Sequence, residues 1–473
     1  MRKSVITREQ LTMFNTCKSI VLNDTEEHLS NVPGENIINL RQELKDDILS
    51  TTYLTHAIHN VYPAKFIPQV PRFVIKKFNL KAKIILDPFA GSGTTAVESL
   101  LTGNSNISND INPITKFLVE VKTLKLNPKD YFDYLDRLNH HISSMAKNER
   151  PYIPRWGNLS YWYPADILTS LTKIWGYIHN IDEGEADIKN ILKVSALYIS
   201  RKYSYGEDES PKLFKSKHKT AKMKELLDKF HKLGEELLRA EILGKARQYL
   251  DCIVQFNYRM RPEYQRIYSF NKSREQFLLI LNNSLEELGQ EIPEETIDCI
   301  VTSPPYIYAQ EYFRSTKIDM YWLDMVDDKS VRRLTKMEIG QKLKPISDLD
   351  SFLLKIEPYK NALRTIKKRS ENFKTKENIP RFEAYFNDML YFIRLSAQLL
   401  AKKGILAIFI GEPRVFGSPI NVKDIISEML TKNCFKLTDT LFDVIKSRHL
   451  LRNRLNENPN GILGEWLIIG EKL

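Results

Sequence analysis

Two short stretches of this chain combine residue types that do chemistry. In the first, Gly91, Ser92 and Gly93 lie between an apolar strand-like run and a helix-forming stretch that begins near Thr94, and Asp110 stands about 20 residues on, at the end of the next short strand. A glycine turn in that position lets backbone approach a ligand closely, and an acid there can accept both hydroxyls of a ribose. The third glycine of the dinucleotide fingerprint and the Gly-Lys-Ser/Thr of a P-loop are both missing. A cofactor with a nucleoside but no phosphate therefore fits better than NAD or a nucleoside triphosphate. In the second stretch, Thr302-Ser303-Pro304-Pro305-Tyr306 follows directly on an apolar strand over 297–301, the end at which open α/β sheets keep their sites. Two prolines fix the backbone and remove two donors, which leaves the carbonyls of Ser303 and Pro304 as rigid acceptors suited to a planar amino group. Ser303 adds a hydroxyl that can orient the amine, and Tyr306 a flat face on which a base can stack. Each stretch alone has a plainer reading, since Gly-x-Gly turns also close ordinary helix–strand corners and a proline pair can simply cap a strand.

The elements that would position these residues follow from the hydrophobic pattern. From residue 83 the chain reads as strand, Gly-rich turn, helix and strand, which is half of a doubly wound sheet. Strands are expected again at 277–281, 297–301 and 404–412, with a helix over 382–401 before the last. The C-terminal 40 residues or so supply two more strands separated by a loop at 456–461, read as the antiparallel edge of the sheet. Between the sheet segments, 123–275 is lysine-rich and helical by periodicity, with one continuous apolar stripe over 223–243, and 324–381 is a smaller basic insertion. The division expected is an N-terminal segment of unknown role over 1–60 with a helical stretch over 37–58, a catalytic domain made of 61–122 and 276–473, and the two insertions.

The bulk properties narrow the classes. At 473 residues, with a net charge of +11 and ordinary hydrophobic content of 42%, the chain is long enough for a large core and should attract a polyanion. Its four cysteines, Cys17, Cys252, Cys299 and Cys434, are far apart, with no CxxC pair and no histidine at zinc-ligand spacing, which argues against a metal site or a disulfide framework. The N-terminus is too polar for a signal peptide, and no run approaches the roughly 20 apolar residues that span a bilayer. The chain is read as soluble and intracellular, with no membrane partner.

With Asp87-Pro88-Phe89-Ala90-Gly91-Ser92-Gly93-Thr94, Asn109-Asp110-Ile111-Asn112-Pro113 and Thr302-Ser303-Pro304-Pro305-Tyr306 in this order, the chain resembles the amino-group DNA methyltransferases, specifically the N4-cytosine branch. The resemblance implies a Rossmann-like class I methyltransferase fold, a mostly parallel seven-stranded sheet flanked by helices and carrying helical insertions. It also implies S-adenosylmethionine as cofactor and double-stranded DNA as substrate, with a cognate restriction endonuclease as a possible partner. In that family a segment ahead of the Gly-rich strand helps enclose the cofactor, and Tyr62-Pro63-Ala64-Lys65-Phe66-Ile67-Pro68 matches it. By resemblance, Tyr62, Pro63, Lys65, Phe66, Asp87, Pro88, Phe89, Gly91, Ser92, Gly93 and Thr94 form the methionine and adenosine pocket. Asp110 with Ile111 holds the ribose, and Ser303, Pro304, Pro305 and Tyr306 are catalytic. Two departures stand out. Asn282-Asn283-Ser284 replaces the family's frequent Gly-Asp-Ser, so Asn283 takes the place of a carboxylate near the adenine. The helix after the catalytic turn, from Glu311-Tyr312-Phe313-Arg314-Ser315-Thr316-Lys317 to Trp322-Leu323, lacks the usual histidine.

Serine ahead of Pro-Pro-Tyr is what favours cytosine, since related adenine enzymes carry aspartate there, and N6-adenine is the alternative. RNA guanosine N2-methylation ranks behind it, because related enzymes have a separate RNA-binding domain before the Gly-rich strand. Protein-glutamine methylation would call for asparagine before Pro-Pro-Tyr. Carbon-5 cytosine chemistry needs a thiolate, normally from a Pro-Cys pair, and none of the four cysteines follows a proline. The basic footprint is expected in Lys212, Lys215, Lys217, Lys219, Lys222 and Lys224, and in Lys367, Lys368, Arg369, Lys374 and Lys376. Trp156, Tyr161, Trp162 and Tyr163 are read as core of the first insertion before being read as base-stacking groups.

Overall fold

The computed structural model describes residues 36–59, 62, 67–207, 213–215, 217–260, 276–307, 312–340, 350–370, 378–415, 418–445 and 463–473. Pro63, Lys65, Phe66, Lys212, Lys374, Lys376 and the 456–461 loop lie outside them. The architecture is a mixed sheet covered by helices on both faces.

Ten strands are described: β1 (Ile37–Ile38), β2 (Ile84–Asp87), β3 (Ser105–Asn109), β4 (Leu278–Leu281), β5 (Ile297–Thr302), β6 (Leu400–Gly411), β7 (Arg414–Val415), β8 (Ser418–Pro419), β9 (Phe435–Val444) and β10 (Gly464–Lys472). Eight of them form one sheet in the order β1-β9-β10-β6-β5-β2-β3-β4, all parallel except β10, which runs antiparallel to both β6 and β9. From β2 the chain builds outward to β3 and β4, then returns to lay β5 on the other side of β2. The Gly-rich turn after β2 and the proline turn after β5 therefore flank the topological switch point, where such sheets bind ligands.

The parallel α/β sheet is legible in the sequence, and three details differ. An eighth strand exists because Ile37–Ile38 pairs in parallel with Phe442 and Asp443. The antiparallel strand is interior rather than an edge: β10 is clamped between β6 and β9, since its run Trp466 to Ile469 is apolar enough to be covered on both faces. The 37–58 segment is not a continuous helix but this strand, one helical turn at Leu40–Glu43 and a 3-10 turn at Leu54–Ala57. The most unusual strand is β3, whose sequence Ser-Asn-Ile-Ser-Asn is polar yet wholly buried. It persists because its side chains bond within the sheet: Asn106 Nδ2 donates to the Ile85 carbonyl (3.0 Å) and Ser108 Oγ to Asn106 Oδ1 (2.7 Å).

The helices are α1 (Gln69–Lys77), α2 (Thr94–Leu101), α3 (Pro113–Lys122), α4 (Tyr131–Met145), α5 (Ala165–His179), α6 (Ala186–Lys202), α7 (Lys217–Leu233), α8 (Glu235–Arg259), α9 (Leu285–Glu291), α10 (Tyr312–Trp322), α11 (Asp328–Thr335), α12 (Glu357–Ser370), α13 (Asn378–Leu399) and α14 (Val422–Thr431). The stripe read as one helix over 223–243 is broken at Gly234, whose φ of 63° lets the chain turn between α7 and α8. The helices α4 to α8 share one hydrophobic core with α3 and α10, the helix that follows the catalytic turn. Trp156, Trp162 and Tyr163 are buried there as expected, Trp156 stacked on Tyr321 at 4.8 Å, whereas Tyr161 stays half exposed. A second core packs α12, α13 and α14 on one face of the sheet, and a third packs α1 on the other. Among the described residues no helix is long and apolar enough to cross a membrane, and no cluster of side chains could hold a metal ion.

Candidate active site

Asp87, at the carboxyl end of β2, ties the two chemical stretches together. It is fully buried and accepts hydrogen bonds from the Thr95 hydroxyl on α2 (2.6 Å), the Thr302 hydroxyl at the end of β5 (2.6 Å) and the Phe89 amide (3.2 Å). Burial pushes its carboxyl up to about 6 against the pull of these donors. The carboxylate points away from the ligand cavity and acts as a strut between the Gly-rich turn and the proline turn.

The Gly-rich turn closes against Asp110. The Gly91 amide donates to Asp110 Oδ2 and the Asn112 amide to Oδ1, both at 2.9 Å, so the carboxylate is fixed in one orientation. Burial raises its carboxyl to about 6 even so. Both glycines are required where they stand. A Cβ on Gly91 (φ 51°) would come within 3.0 Å of the Tyr62 ring, and one on Gly93 (φ 80°) within 2.7 Å of Val119. Tyr62 thus lies across the turn as a wall, and Gly93 caps α2. Beneath, Lys122 is fully buried and donates to the Ser92 carbonyl at 2.7 Å. Asn109 reaches across to β4's exit, where its amide exchanges two hydrogen bonds with the Asn283 backbone (2.9 and 3.1 Å). The Asn283 side chain donates to Glu291.

One cavity of about 210 Å³ joins these parts. Of the residues expected at a cofactor, Tyr62, Pro88, Phe89, Gly91, Ser92, Thr94, Asp110, Ile111 and Asn283 line it, whereas Asp87 and Gly93 support it from behind. Of the residues expected to be catalytic, Ser303 and Pro305 line it and Pro304 and Tyr306 do not. Tyr306 turns toward the sheet, and its hydroxyl donates to Glu465 on β10. Burial and the Glu465 carboxylate keep the phenol neutral, well above its ordinary range. Asn112, Tyr312, Glu338, Asp388 and Tyr391 complete the wall without having been singled out in the sequence. Asn112 belongs to a recognised motif and Tyr312 to the recognised helix. Glu338, which accepts from the Phe313 amide (3.0 Å), and Asp388, which accepts from the Gly340 amide (3.1 Å), carry no sequence signal at all.

The helix α10 is held in place by buried charge on its second half. Arg201 donates to both oxygens of Asp319 (2.6 and 2.7 Å) and His59 lies 3.2 Å from it. Burial alone would push Asp319 up, but Arg201 and His59 more than offset it and hold the carboxyl below its ordinary range. A second such network joins Tyr53, His56 and Arg72 to Glu98 on α2. The arrangement brings the polar groups of Asp110 and Asn112, the apolar side chains of Phe89, Ile111 and Leu285, and Ser303 of the proline turn to the wall of one space.

Comparison with known proteins agrees with the motifs. Residues 15–118 match the family model described as DNA methylase, a span that includes Tyr62, the Gly-rich turn and Asp110 and stops before the proline turn. Among curated proteins, the type II methyltransferase M.MvaI of Kocuria varians is 26% identical over 336 residues, 68% of this chain and 69% of the relative. The type II methyltransferase M.BsoBI of Geobacillus stearothermophilus is 25% identical over 312 residues, 62% of this chain and 58% of its own. The type II methyltransferase M.MjaII of Methanocaldococcus jannaschii is 28% identical over 183 residues, 37% of this chain and 34% of its own. Motifs, fold and relatives point the same way: the chain is similar to the DNA methylases, a family that spans N4-cytosine and N6-adenine enzymes.

Proposed function

We propose that the protein is a site-specific type II DNA methyltransferase that transfers a methyl group from S-adenosylmethionine to the N4 amino group of a cytosine flipped out of duplex DNA, within a restriction–modification system. The observation that carries this reading is that the wall of one cavity is shared by Gly91 and Asp110 on one side and Ser303 and Pro305 on the other. A nucleoside-binding turn and an amine-accepting turn thus face each other at the switch point of the sheet. When bound, S-adenosylmethionine supplies an electrophilic methyl on a sulfonium.

The chain's own residues fit that ligand. Asp110 keeps lone pairs for two ribose hydroxyls beyond the two amide donors it already uses, and Phe89, Ile111 and Leu285 give apolar surface for the adenine. The task assigned to Ser303, which lines the cavity, and to the carbonyl of Pro304 next to it, which does not, follows from the electronics of the substrate. An exocyclic amine has its lone pair delocalised into the ring, and accepting its N–H groups at a hydroxyl and a carbonyl turns that pair toward the methyl. The gain is one of positioning and electrostatics, and it needs no covalent intermediate. Base flipping is required because the amine is otherwise inside the duplex. Tyr306 is the group assigned to stack on the flipped base, which would have to reach beyond the present cavity wall to its ring, held by Glu465.

Expression in a host that lacks DNA methylation, followed by sequencing that separates N4-methylcytosine from N6-methyladenine, tests the proposal. N4-methylcytosine at one fixed motif is the expected result. N6-methyladenine would leave the fold reading intact and overturn the base assignment, and unmodified DNA would overturn the proposed substrate.

A further inference from the structure

The fold sorts the lysine stretches singled out in the sequence: Lys222, Lys224, Lys367, Lys368 and Arg369 stay exposed, whereas Lys219 does not. Lys219 is fully buried and donates to the Lys202 carbonyl at 2.8 Å. On the same helix Lys229 pairs with Glu225, and in the second insertion Lys367 lies 3.6 Å from Glu383. One residue of those stretches, Lys215, is gathered beside the cavity wall with three cations from outside them. Tyr312 and Phe313, the first residues of α10, line the cavity, and Arg314 comes next, exposed, with Lys317 one turn further along. Arg314 Nε donates to the Leu213 carbonyl at 3.1 Å, which brings in Lys215, whose ammonium lies 3.9 Å from the Tyr205 ring centroid and 4.8 Å from that of half-exposed Tyr161. Lys317 lies 5.3 Å from the Trp156 ring.

Arg332, exposed on α11, completes the group near Lys317, and α11 runs on to Met337 and Glu338 in the cavity wall. Burial, and then the charges of Arg332 and Arg314 against the pull of Asp328, hold the Lys317 ammonium below its ordinary range. Asp328 is itself engaged by the Tyr321 hydroxyl and the Gly157 amide. Cations crowded on one another are eased by a polyanion, and aromatic rings interleaved with them suit the sugar and base faces of a nucleic acid.

Resting on the methyltransferase reading above, we propose that Lys215, Arg314, Lys317 and Arg332 form the face on which the phosphates of duplex DNA lie next to the target nucleotide. The place of this face next to the cavity-wall residues Tyr312 and Phe313, rather than on the lysine-rich helix, is what would set the duplex within reach of the proline turn.

The experiment uses the full chain and a short duplex of mixed sequence, since the phosphate contribution does not depend on sequence. Binding is titrated against salt for the wild type, for Lys215→Gln and Arg332→Gln singly, for Arg314→Gln combined with Lys317→Gln, and for Lys222→Gln combined with Lys224→Gln on α7. Each cation removed from the face should reduce the slope of log affinity against log salt by about 1, while S-adenosylmethionine affinity stays within about twofold and the α7 pair leaves the slope unchanged. If the Arg314 and Lys317 pair fails to fold, seen as abolished cofactor binding, the exposed single positions Lys215 and Arg332 decide. Unchanged slopes at these positions in a chain that still methylates DNA would overturn the face alone, as would a fall confined to the α7 pair. A wild type that neither binds nor marks duplex DNA would overturn the methyltransferase reading, and the face with it.

Discussion

The halves of the cavity proposed to hold the cofactor and the target are built on different scales of sequence. On the cofactor side the decisive contacts are local: Gly91 to Asp110, Asp110 to Asn112, Asp87 to Thr95. On the target side the proline turn is fixed from far away, Thr302 by Asp87 and Tyr306 by Glu465, while the opposite wall comes from Glu338 and Asp388 on other elements. The first half is a preformed cradle that one βαβ unit can carry into many chains. The second is assembled only when the whole sheet and its insertions are in place. Cofactor binding should accordingly tolerate damage to the target side, and methyl transfer should not tolerate damage to either.

The sharpest way to break this division is Ser303→Ala. Losing one of the hydrogen-bonding groups that orient the amine should lower kcat by about a hundredfold, the cost typical of a missing preorganised group, with S-adenosylmethionine affinity nearly unchanged. Single-turnover methylation alongside calorimetric cofactor titration separates the two, and equal losses in both would mean the halves are not distinct. The converse change, Asp110→Ala, should weaken cofactor binding by about tenfold, near 1.4 kcal/mol, by removing the acceptor for the ribose and unlatching the Gly91 amide. If kcat at saturating cofactor fell as far as in Ser303→Ala, Asp110 would have a part in the chemistry and the comparison would fail.

The same difference in scale explains what can be read from the sequence. The strand–turn–helix at 84–101 and the acid after β3 are legible because their residue types and spacing follow from one ligand. Even the polar strand Ser105–Asn109 is placed by its position in that unit, against its own composition. The proline turn is legible as a motif, but the direction in which Tyr306 faces is not. That direction depends on Glu465, 159 residues later, on a strand that the sequence pattern puts at the edge and the fold puts inside the sheet. Local periodicity does not say which strands become neighbours, so the extent of β10 is readable while its place is not. The charge pattern is legible in part for a related reason: a run of lysines does not say which of them the fold will bury, and Lys219 is buried while Lys222 and Lys224 stay exposed.

Glu465 offers a finer probe of the target side. Glu465→Leu removes one hydrogen-bond partner of the Tyr306 hydroxyl and leaves it the Ser303 side chain, at a cost of about 1 kcal/mol shared between stability and ring placement. The expected result is a drop in kcat of roughly threefold to tenfold with cofactor affinity intact, and recovery in Glu465→Gln, whose amide oxygen still accepts. Equal activity in the Leu and Gln variants would show that the turn holds Tyr306 without help from β10.

The smallest effect expected is one of pH, and its sign differs between function and stability. Asp87 and Asp110 both titrate near pH 6 in the fold, raised by burial above the ordinary carboxylate range. Between that range and pH 6 the folded chain holds more protons than the unfolded one, so these two acids make stability fall as pH rises through the window. Cofactor binding runs the other way, because ribose hydroxyls donate to the ionised Asp110 and favour it. Affinity should therefore be constant above about pH 6 and decline below it, by no more than a factor of ten per pH unit. Asp87 does not line the cavity, so Asp110→Asn alone should flatten the affinity profile, whereas the stability slope should persist in part through Asp87. Titrations of binding and of thermal unfolding from pH 5 to pH 8 on the wild type and Asp110→Asn measure both. A binding profile that still bends near pH 6 in Asp110→Asn would assign the titration to Asp87, and would mean that the strut beneath the two turns, rather than the ribose acceptor, controls the cradle.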